Sequence, residues 1–408
     1  MSGLQMHPIL SALFRSRVGP LLVVIQMAVA LMVLANAVTV AGQRLARINR
    51  PTGIDEANLF VITSEGFTPR FNGEAQMRTD VDYLRGVEGV VAVTATNAAP
   101  LGDDFMGNLA WTTPDKKGPP QFFALIMGDE HTLETWGTHL IAGRGYRADE
   151  IQPPFGSPRG AASGQRMLIL SRSTAQRLFP DGHALGKSVF YGDGAPVTIV
   201  GVTDDVVGPD GVGFVGWVAQ LPGAPSHSYL VRTAPGARDR VMREVEAHLP
   251  VNPDRVITRI RSLESFKEVL YSSDRNMTLF LAFVTLLMVG VTCLGVFGLA
   301  TYNVSTRTRQ IGTRRAVGAR RIDILKYFLI ENWMITAAGV VLGSVLAVVA
   351  NAWLVREYSS DLINPLPPLD IYDLASGIVL LYLVGQLAAW YPARKAAAVS
   401  PAIATRTV

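Results

Sequence analysis

The chain has a single cysteine, Cys293, in 408 residues. An intrachain disulfide and a cysteine-based metal site are therefore both excluded. Cys293 lies in an apolar run and reads as a packed thiol. Charge is scarce too. Only 17% of residues are Asp, Glu, Lys or Arg, where soluble domains carry roughly 25%. Recognisable chemistry is thin as well. None of the six histidines, His7, His131, His139, His183, His227 and His248, forms an H-E-x-x-H pattern. His131 and His139 with Asp129 and Glu130 come nearest to a metal-binding set, and they read as a solvated turn. There is no G-x-S-x-G nucleophile elbow. The acidic pairs Asp103-Asp104 and Asp204-Asp205 sit in turn-like contexts rather than as an acid/base dyad. The segment Gly182-His-Ala-Leu-Gly186-Lys187-Ser188 approaches a phosphate-binding loop. It has three residues between its glycines where four are needed to wrap a phosphate, and a strand-like stretch follows it instead of a helix. It reads as a glycine-rich turn. The expectation is a chain with no catalytic residue, no bound cofactor and no metal of its own.

What the chain does have is long apolar runs and a mean hydropathy of +0.26. A spanning helix needs about 20 mainly apolar residues. Four stretches qualify: 18–43, 276–306, 328–355 and 374–393. The first follows Arg15 and Arg17 and contains Ala35-Asn36-Ala37, the small-x-small form of a signal cleavage site. Its apolar run is longer than the roughly 7–15 residues of a signal core, so it reads as an uncleaved helix.

Lysine and arginine in short flanks set orientation. Arg307, Arg309, Arg314, Arg315, Arg320, Arg321 and Lys326 lie between spans two and three, opposed only by Asp323. Arg394, Lys395 and Arg406 follow span four. Glu357, Asp361, Asp370 and Asp373 dominate the loop after span three. The reading is a cytoplasmic N-terminus over 1–17, an extracytoplasmic region over 44–275, a cytoplasmic loop over 307–327, a short outer loop over 356–373 and a cytoplasmic C-terminus over 394–408. The net charge of +4 is thus spent at membrane edges. The basic run has no aromatic residue before Tyr327 and gives no reason to expect nucleic acid.

The outer segment alternates strand-like and helical patterns. Strands are expected at 59–63, 90–96, 122–127, 167–171, 197–202 and 228–232, and helices at 75–85, 172–179 and 237–248. Ser171 or Ser173 is placed to cap the second of these helices. The stretch 155–164 reads as a loop. The fold class is a four-helix membrane protein with a large α/β domain inserted between helices 1 and 2. Residues 262–273 enter span two without Gly or Pro, as a rigid outward stalk or as a long tilted helix.

Three further patterns bear on function. In the basic loop Ile311, Ala316, Val317, Ala319, Ile322 and Leu325 interleave with arginines, and an apolar subset of that kind suits a docking surface better than bare anchoring. No charge sits near the bilayer centre, which argues against an ion path. Gln26, Asn36, Asn351 and Gln386 are the polar exceptions, and Glu331, at the start of span three, is within reach of Lys326. Gly339 and Gly343 form a G-x-x-x-G in span three, for packing within the chain or against a second copy, and Gly290, Gly295 and Gly298 offer the same in span two.

The stretch Arg307-Thr-Arg309-Gln-Ile311-Gly312-Thr-Arg-Arg-Ala316-Val317-Gly318-Ala319-Arg320-Arg321-Ile-Asp323-Ile324 resembles the cytoplasmic loop of MacB/FtsX-like ABC transporter permeases, which reads R-T-x-E-I-G-x-R-x-A-x-G-A. Phe328-Leu-Ile-Glu331 and Tyr391-Pro392-Ala393-Arg394-Lys395-Ala396-Ala397, with Pro401, are similar to the same family. Gly143-Arg144, Leu178-Phe179, Leu185-Gly186-Lys187 and Ile199-Val200-Gly201-Val202 resemble its extracytoplasmic domain. The resemblance covers essentially the whole chain. It implies a multi-pass protein of the bacterial inner membrane that works as a pair with a second copy or a paralogue. An ATPase subunit would bind ATP and sit on a coupling helix contributed here by Arg309, Ile311, Gly312, Arg314, Ala316, Val317, Gly318 and Ala319. A periplasmic membrane-fusion adaptor and membrane lipid complete the implied partners. The cargo would be a small molecule, a peptide or a lipoprotein.

Two departures follow. The chain starts about 17 residues before span one and has no true phosphate loop, so the expected ATPase is a separate polypeptide. The family's glutamate in the loop is Gln310 here, as in a diverged member of a heterodimeric pair. A regulator of an extracytoplasmic cell-wall hydrolase and a membrane sensor are the competing functions.

Overall fold

The computed structural model describes residues 18–102, 107–154, 166–192, 194–223, 225–249, 252–358 and 366–399. In chain order the elements are α1 (Val18–Ile48), β1 (Leu59–Gly66), α2 (Gly73–Gly86), β2 (Val90–Thr96), β3 (Gly107–Ala110), β4 (Gln121–Gly128), α3 (Thr132–Trp136), β5 (Leu140–Gly143), β6 (Arg166–Ser171), α4 (Arg172–Leu178), β7 (Ser188–Phe190), β8 (Pro196–Thr203), β9 (Val215–Ala219), β10 (Ser226–Thr233), α5 (Arg238–His248), β11 (Arg255–Ser262), α6 (Leu263–Thr306), α7 (Thr308–Ala316), α8 (Arg321–Glu357) and α9 (Ile371–Ala397). Two compact units result, the first made of the residues on either side of 50–273 and the second of 50–273 itself. The expected loop at 155–164 and Asp103-Asp104 lie outside the described residues.

In the first unit α1, α6, α8 and α9 are each long and apolar enough to cross a membrane, at 31, 44, 37 and 27 residues. Small residues let three of them close. On α9, Gly377, Leu381, Gly385 and Ala389 recur every four residues and are buried as one ridge. On α8, Gly339 and Gly343 lie against Val24, Met27, Ala28 and Leu31 of α1. The G-x-x-x-G therefore serves packing within the chain. Gly295 of α6 lies against Gln26, whereas a Cβ on Gly290 or Gly298 would meet nothing within 4 Å. Those two glycines do not pack a neighbouring helix.

Three of the polar exceptions, Gln26, Asn36 and Asn351, tie the spans to neighbouring segments, as does Asn332, whereas the Nε2 of the fourth, Gln386, is buried without a hydrogen-bond partner. Gln26 Nε2 donates to Val291 O at 2.7 Å. Asn36 Nδ2 donates to Ala347 O at 3.2 Å, and Asn332 Nδ2 to Gly385 O at 3.1 Å. Asn351 Oδ1 accepts from Leu369 N–H at 2.8 Å. Each satisfies a polar group that lipid would leave unpaired. The helix α6 starts at Leu263, directly after β11, and runs unbroken into span two.

The second unit holds two sheets. The first has the order β11-β1-β10-β2, antiparallel throughout. Phe60, Ile62, Val93, Tyr229 and Val231 pack beneath α2 and α5, which contribute Met77, Leu84, Val241 and Val245. The second is seven-stranded, β3-β4-β9-β6-β8-β5 with β7 beside β8. Its β4/β9 and β6/β8 pairs are parallel. All six expected strands and three expected helices are present, with ends moved by one to three residues. The sequence reading missed the short strands β3 and β5, the strands β9 and β11, and the short helix α3. Edge strand β11 carries Arg255, Arg259 and Arg261 among its apolar residues, so it reads as polar. The five residues of β9, all buried, are too few to show a period. Ser171 does occupy the cap position of α4, but its hydroxyl pairs with Thr174 Oγ1 at 2.8 Å rather than with a helix N–H.

A polar network is buried under the first sheet. Arg255, on β11, reaches both carboxylate oxygens of Asp80 on α2, and both side chains are nearly inaccessible. The Tyr229 hydroxyl donates to Asp80 Oδ2 at 2.7 Å, and His227 Nε2 lies 2.7 Å from the same hydroxyl. Its only proton is committed to Asp80, so Nε2 must carry the imidazole proton. His227 Nδ1 is then a buried lone pair without a partner. A proton placed there would also have none. Burial first, and the Arg255 cation second, hold the His227 pKa down at about 4, with Asp80 opposing. Unfolded histidine titrates near 6.5. Above that pH the neutral ring costs nothing; below it the unfolded chain takes up a proton the folded chain refuses.

Two predictions follow from these contacts. Lowering the pH from about 6.5 to 4 destabilises the inserted domain by about 3 kcal/mol through His227, and no further below that. Hydrogen exchange of β10 amides in the full chain reads this out, and His227→Gln flattens the dependence. Gly339→Val places a Cβ 2.7 Å from Met27 Cβ. It lowers the stability of the helical unit by roughly 1–3 kcal/mol, seen as a lower Tm in detergent.

Candidate functional site

The expected docking segment is a short helix, α7, between two sharp turns. Its inner face is built in. Ile311 is buried with Ile324 and Phe328 of α8 and with Ala393, Ala396 and Ala397 of α9. Gly312 is buried beside it. Three alanines on α9 leave room for this approach, and Pro392, also buried, gives up only its own helical hydrogen bond. Two arginines add cross-ties. Arg314 stacks 4.9 Å from the Tyr327 ring, and Arg315 Nη1 donates to Ala397 O at 3.4 Å, near the carbonyl end of α9.

The helix then stops by a Schellman turn. Gly318 has φ of 104°. Its N–H donates to Arg315 O and the Ala319 N–H to Arg314 O, at 3.2 and 3.0 Å. The glycine is required there by its left-handed backbone. The Asp323 carboxylate accepts the Arg320 N–H at 3.0 Å and starts α8 two residues beyond. The lone acid of this basic loop is thus a helix cap.

The eight residues expected to form the docking surface therefore divide. Ile311 and Gly312 face the core, Gly318 ends the helix, Ala319 is half-buried and Arg314 lies on Tyr327. Arg309, Ala316 and Val317 are exposed, and Val317 is 84% accessible. Ile322, outside that set, is 49% exposed next to them. Gln310 is exposed and lines a shallow crevice with Arg307 and Arg314.

One anchor was misassigned from sequence. Glu331 is 3% exposed, and both its oxygens receive Arg307 Nη1, at 3.1 and 3.0 Å. Its partner is therefore Arg307 and not Lys326. Five residues along a helix turn the side chain by roughly 140°, which carries Lys326 away from it. Arg307 is the hinge residue between α6 and α7, so this pair fixes the end of α6 to α8.

The weaker candidates have structural occupations. Arg172 pairs with Asp204 at 2.7 Å, and Asp205 accepts the Ser173 N–H at 2.8 Å. Gly182 and Gly186 both take positive φ, Lys187 pairs with Asp181 at 2.6 Å, and β7 follows. His131 lies 3.8 and 3.7 Å from Glu130 and Glu134. Among the described residues no three His, Cys, Asp or Glu side chains converge as metal ligands.

Four membrane-length helices around an inserted α/β domain, with a basic cross-helix between the second and third, define a transport-type membrane subunit. Comparison with known proteins agrees. Residues 22–248 match the family model described as MacB-like periplasmic core domain, and residues 282–401 match FtsX-like permease C-terminal. The chain belongs to the MacB/FtsX-like ABC transporter permease family. It is 29% identical over 267 residues to a macrolide export ATP-binding/permease protein MacB of Marinobacter nauticus, covering 62% of this chain and 40% of that one. It is 22% identical to a MacB of Mannheimia succiniciproducens over 98% of this chain and 60% of the relative. The chain thus spans about two fifths to three fifths of the length of these relatives. The periplasmic region of MacB from Actinobacillus actinomycetemcomitans aligns at 16% identity with a TM-score of 0.34, over 55% of this chain and 97% of that one.

The Arg307–Glu331 pair yields a prediction. Glu331→Ala leaves a guanidinium without its counter-charge in a closed site and costs roughly 3–5 kcal/mol. Glu331→Gln costs less because it keeps an acceptor. Thermal unfolding of the detergent-solubilised chain ranks the two.

Proposed function

We propose that this permease receives a separate cytoplasmic ATPase on the outer face of α7 and passes the ATP-driven motion through α6 to its inserted domain. The observation that carries this is the two-sided build of α7. One face is locked to α8 and α9, and the other offers Arg309, Ala316, Val317 and Ile322 to a partner. A helix fixed on one side transmits a push instead of absorbing it. Continuity of α6 from Leu263 to Thr306 supports the same reading. The basic flanks favour a cytoplasmic location for α7 and a periplasmic one for the inserted domain, in an inner membrane.

ATP would be held by the partner subunit, and this chain would hold no cofactor. The relatives are named as ATP-binding/permease proteins, and the segment 182–188 here is a turn entering a strand. A second permease copy or paralogue, and a periplasmic adaptor, would complete the assembly. The work done would be export or extraction of a small molecule, a peptide or a lipoprotein. Two relatives are named for macrolide export and for probable syringafactin export.

Mild-detergent purification of the tagged chain tests this. An ATP-binding-cassette subunit is expected to co-purify, and Val317→Asp to reduce its recovery about 30-fold, as a central contact residue would. Arg309→Glu acts in the same direction. Arg314 and Arg315 are poorer probes, since reversing either charge disturbs Tyr327 or the end of α9 as well. Wild-type protein that brings down no such subunit, or Val317→Asp that retains it fully, refutes the docking reading.

A further inference from the structure

The seam between α1 and α6 carries a polar tie at each end, and between them it is sparsely packed, with Met288 of α6 lying against the cluster that holds Ala30 and Leu31. At one end Gln26 bonds Val291 O and lies against Gly295. At the other Arg44 Nη1 meets Asp274 Oδ1 at 2.7 Å, with Arg47 3.4 Å from the second oxygen. The two points are 18 residues apart on α1, about 27 Å of helix. Along that length two apolar clefts flank the seam. One, of about 590 Å³, borders α9 through Leu380 and has no charged residue in its lining. The other, of about 510 Å³, lies between α1, α6 and α8 and is lined by Met32, Val33, Val40, Met277, Leu281 and Leu354, with Arg44 at its rim.

The second cleft is chemically polarised. Its walls are mostly aliphatic, with Asn36 and Tyr358 among them, and its one charged lining residue is a cation. Arg44, Arg47 and Asp274 sum to one positive charge at the rim. The Arg44 guanidinium spends Nη1 on Asp274, while its Nε–H is buried without a hydrogen-bond partner. The Nε edge of a guanidinium is a phosphate-binding edge. Protein packing leaves few voids of this size empty, and inside a membrane the medium that fills them is lipid.

We propose that this cleft is a binding site for an anionic phospholipid, its acyl chain between α1, α6 and α8 and its phosphate against the Arg44 Nε–H. By the orientation that the basic flanks favour, this lipid belongs to the extracytoplasmic leaflet. The bound lipid then acts as the missing packing between α1 and α6, and its loss frees α6 along its middle. Nothing in this depends on the ATPase reading.

The test uses the full chain in mild detergent, offered equal amounts of phosphatidylglycerol and phosphatidylcholine with the same acyl chains, and native mass spectrometry of what stays bound. Wild type retains phosphatidylglycerol about fivefold over phosphatidylcholine, the worth of one arginine near a membrane surface. Arg44→Lys keeps the charge facing Asp274 but removes Nε–H, and brings the ratio toward one with the Tm unchanged. Val40→Trp fills the cleft below Arg44 and lowers retention of both lipids; if that variant fails to fold, Met277→Trp fills it from the facing helix. Equal retention by wild type overturns the proposal. So does a preference that survives both kinds of substitution, which would place the lipid elsewhere. A disulfide between two chains carrying Val33→Cys in a Cys293→Ser background would show the cleft covered by a second copy, and would overturn it too.

Discussion

Glu331 is a carboxylate closed off from solvent at the edge of an apolar helix bundle, and it can remain there as an anion only because Arg307 reaches both of its oxygens. Much of the helical unit depends on that pairing. Arg307 ends α6, opens α7 and, through Glu331, ties both to α8. Once that corner is fixed, Ile311 falls among Ala393, Ala396 and Ala397, and the arginines that follow find Tyr327 and the last carbonyls of α9. The segment between spans two and three is therefore a braced cross-piece. A force applied to its free side reaches three helices at once, as the proposed coupling role requires.

The inserted domain obeys the same rule with different groups. Asp80 and Arg255 are buried together, and the pair is tolerable because Tyr229, Gln76 and Ser64 occupy the remaining valences. His227 completes the chain at the cost of one unmatched lone pair. Replacing such a network with apolar side chains is often neutral or stabilising, so its presence speaks for specificity of sheet register: Asp80 on α2 can meet Arg255 only if β11 pairs with β1 in the observed alignment. The register shift between Thr63 and Ser64 lies within that same pairing.

Much of this was legible in the sequence, and the misses have physical causes. Four apolar runs and the asymmetry of Lys and Arg gave the helices, because bilayer thickness demands length and nothing else imitates it. The outward extension of span two was legible as well: 262–273 holds no Gly or Pro, and α6 begins at Leu263, 13 residues before the apolar run at Asn276. In the basic loop, spacing placed Ile311, Gly312 and Gly318 in the right segment but not their roles. An isoleucine facing a core and a valine facing a partner look alike in sequence. Only the position of the α9 alanines separates them. Glu331 was read toward the nearer lysine because sequence distance was the only guide, whereas helix rotation decides.

The contrast between α6 and the other spans bears on how such a subunit moves. Only 11% of the most apolar stretch of α6 is buried within the chain, against 50% for α1, 33% for α8 and 17% for α9. The helix meets α1 through Gln26 and Arg44, packs Met288, Val296 and Leu299 against the bundle, and presents Leu279, Phe280, Phe283, Leu286 and Leu294 outward. A helix with most of its apolar surface turned outward can shift against lipid or a second subunit while unpacking only a few core contacts. It exchanges one apolar neighbour for another, at little change in free energy. The three helices packed through glycines and alanines have no such freedom, since any slide drives a Cβ into a backbone. Residue size thus divides the helices: the small residues of α8 and α9 make a close-packed frame, and the large ones of α6 face outward, as the proposed transmission through α6 requires.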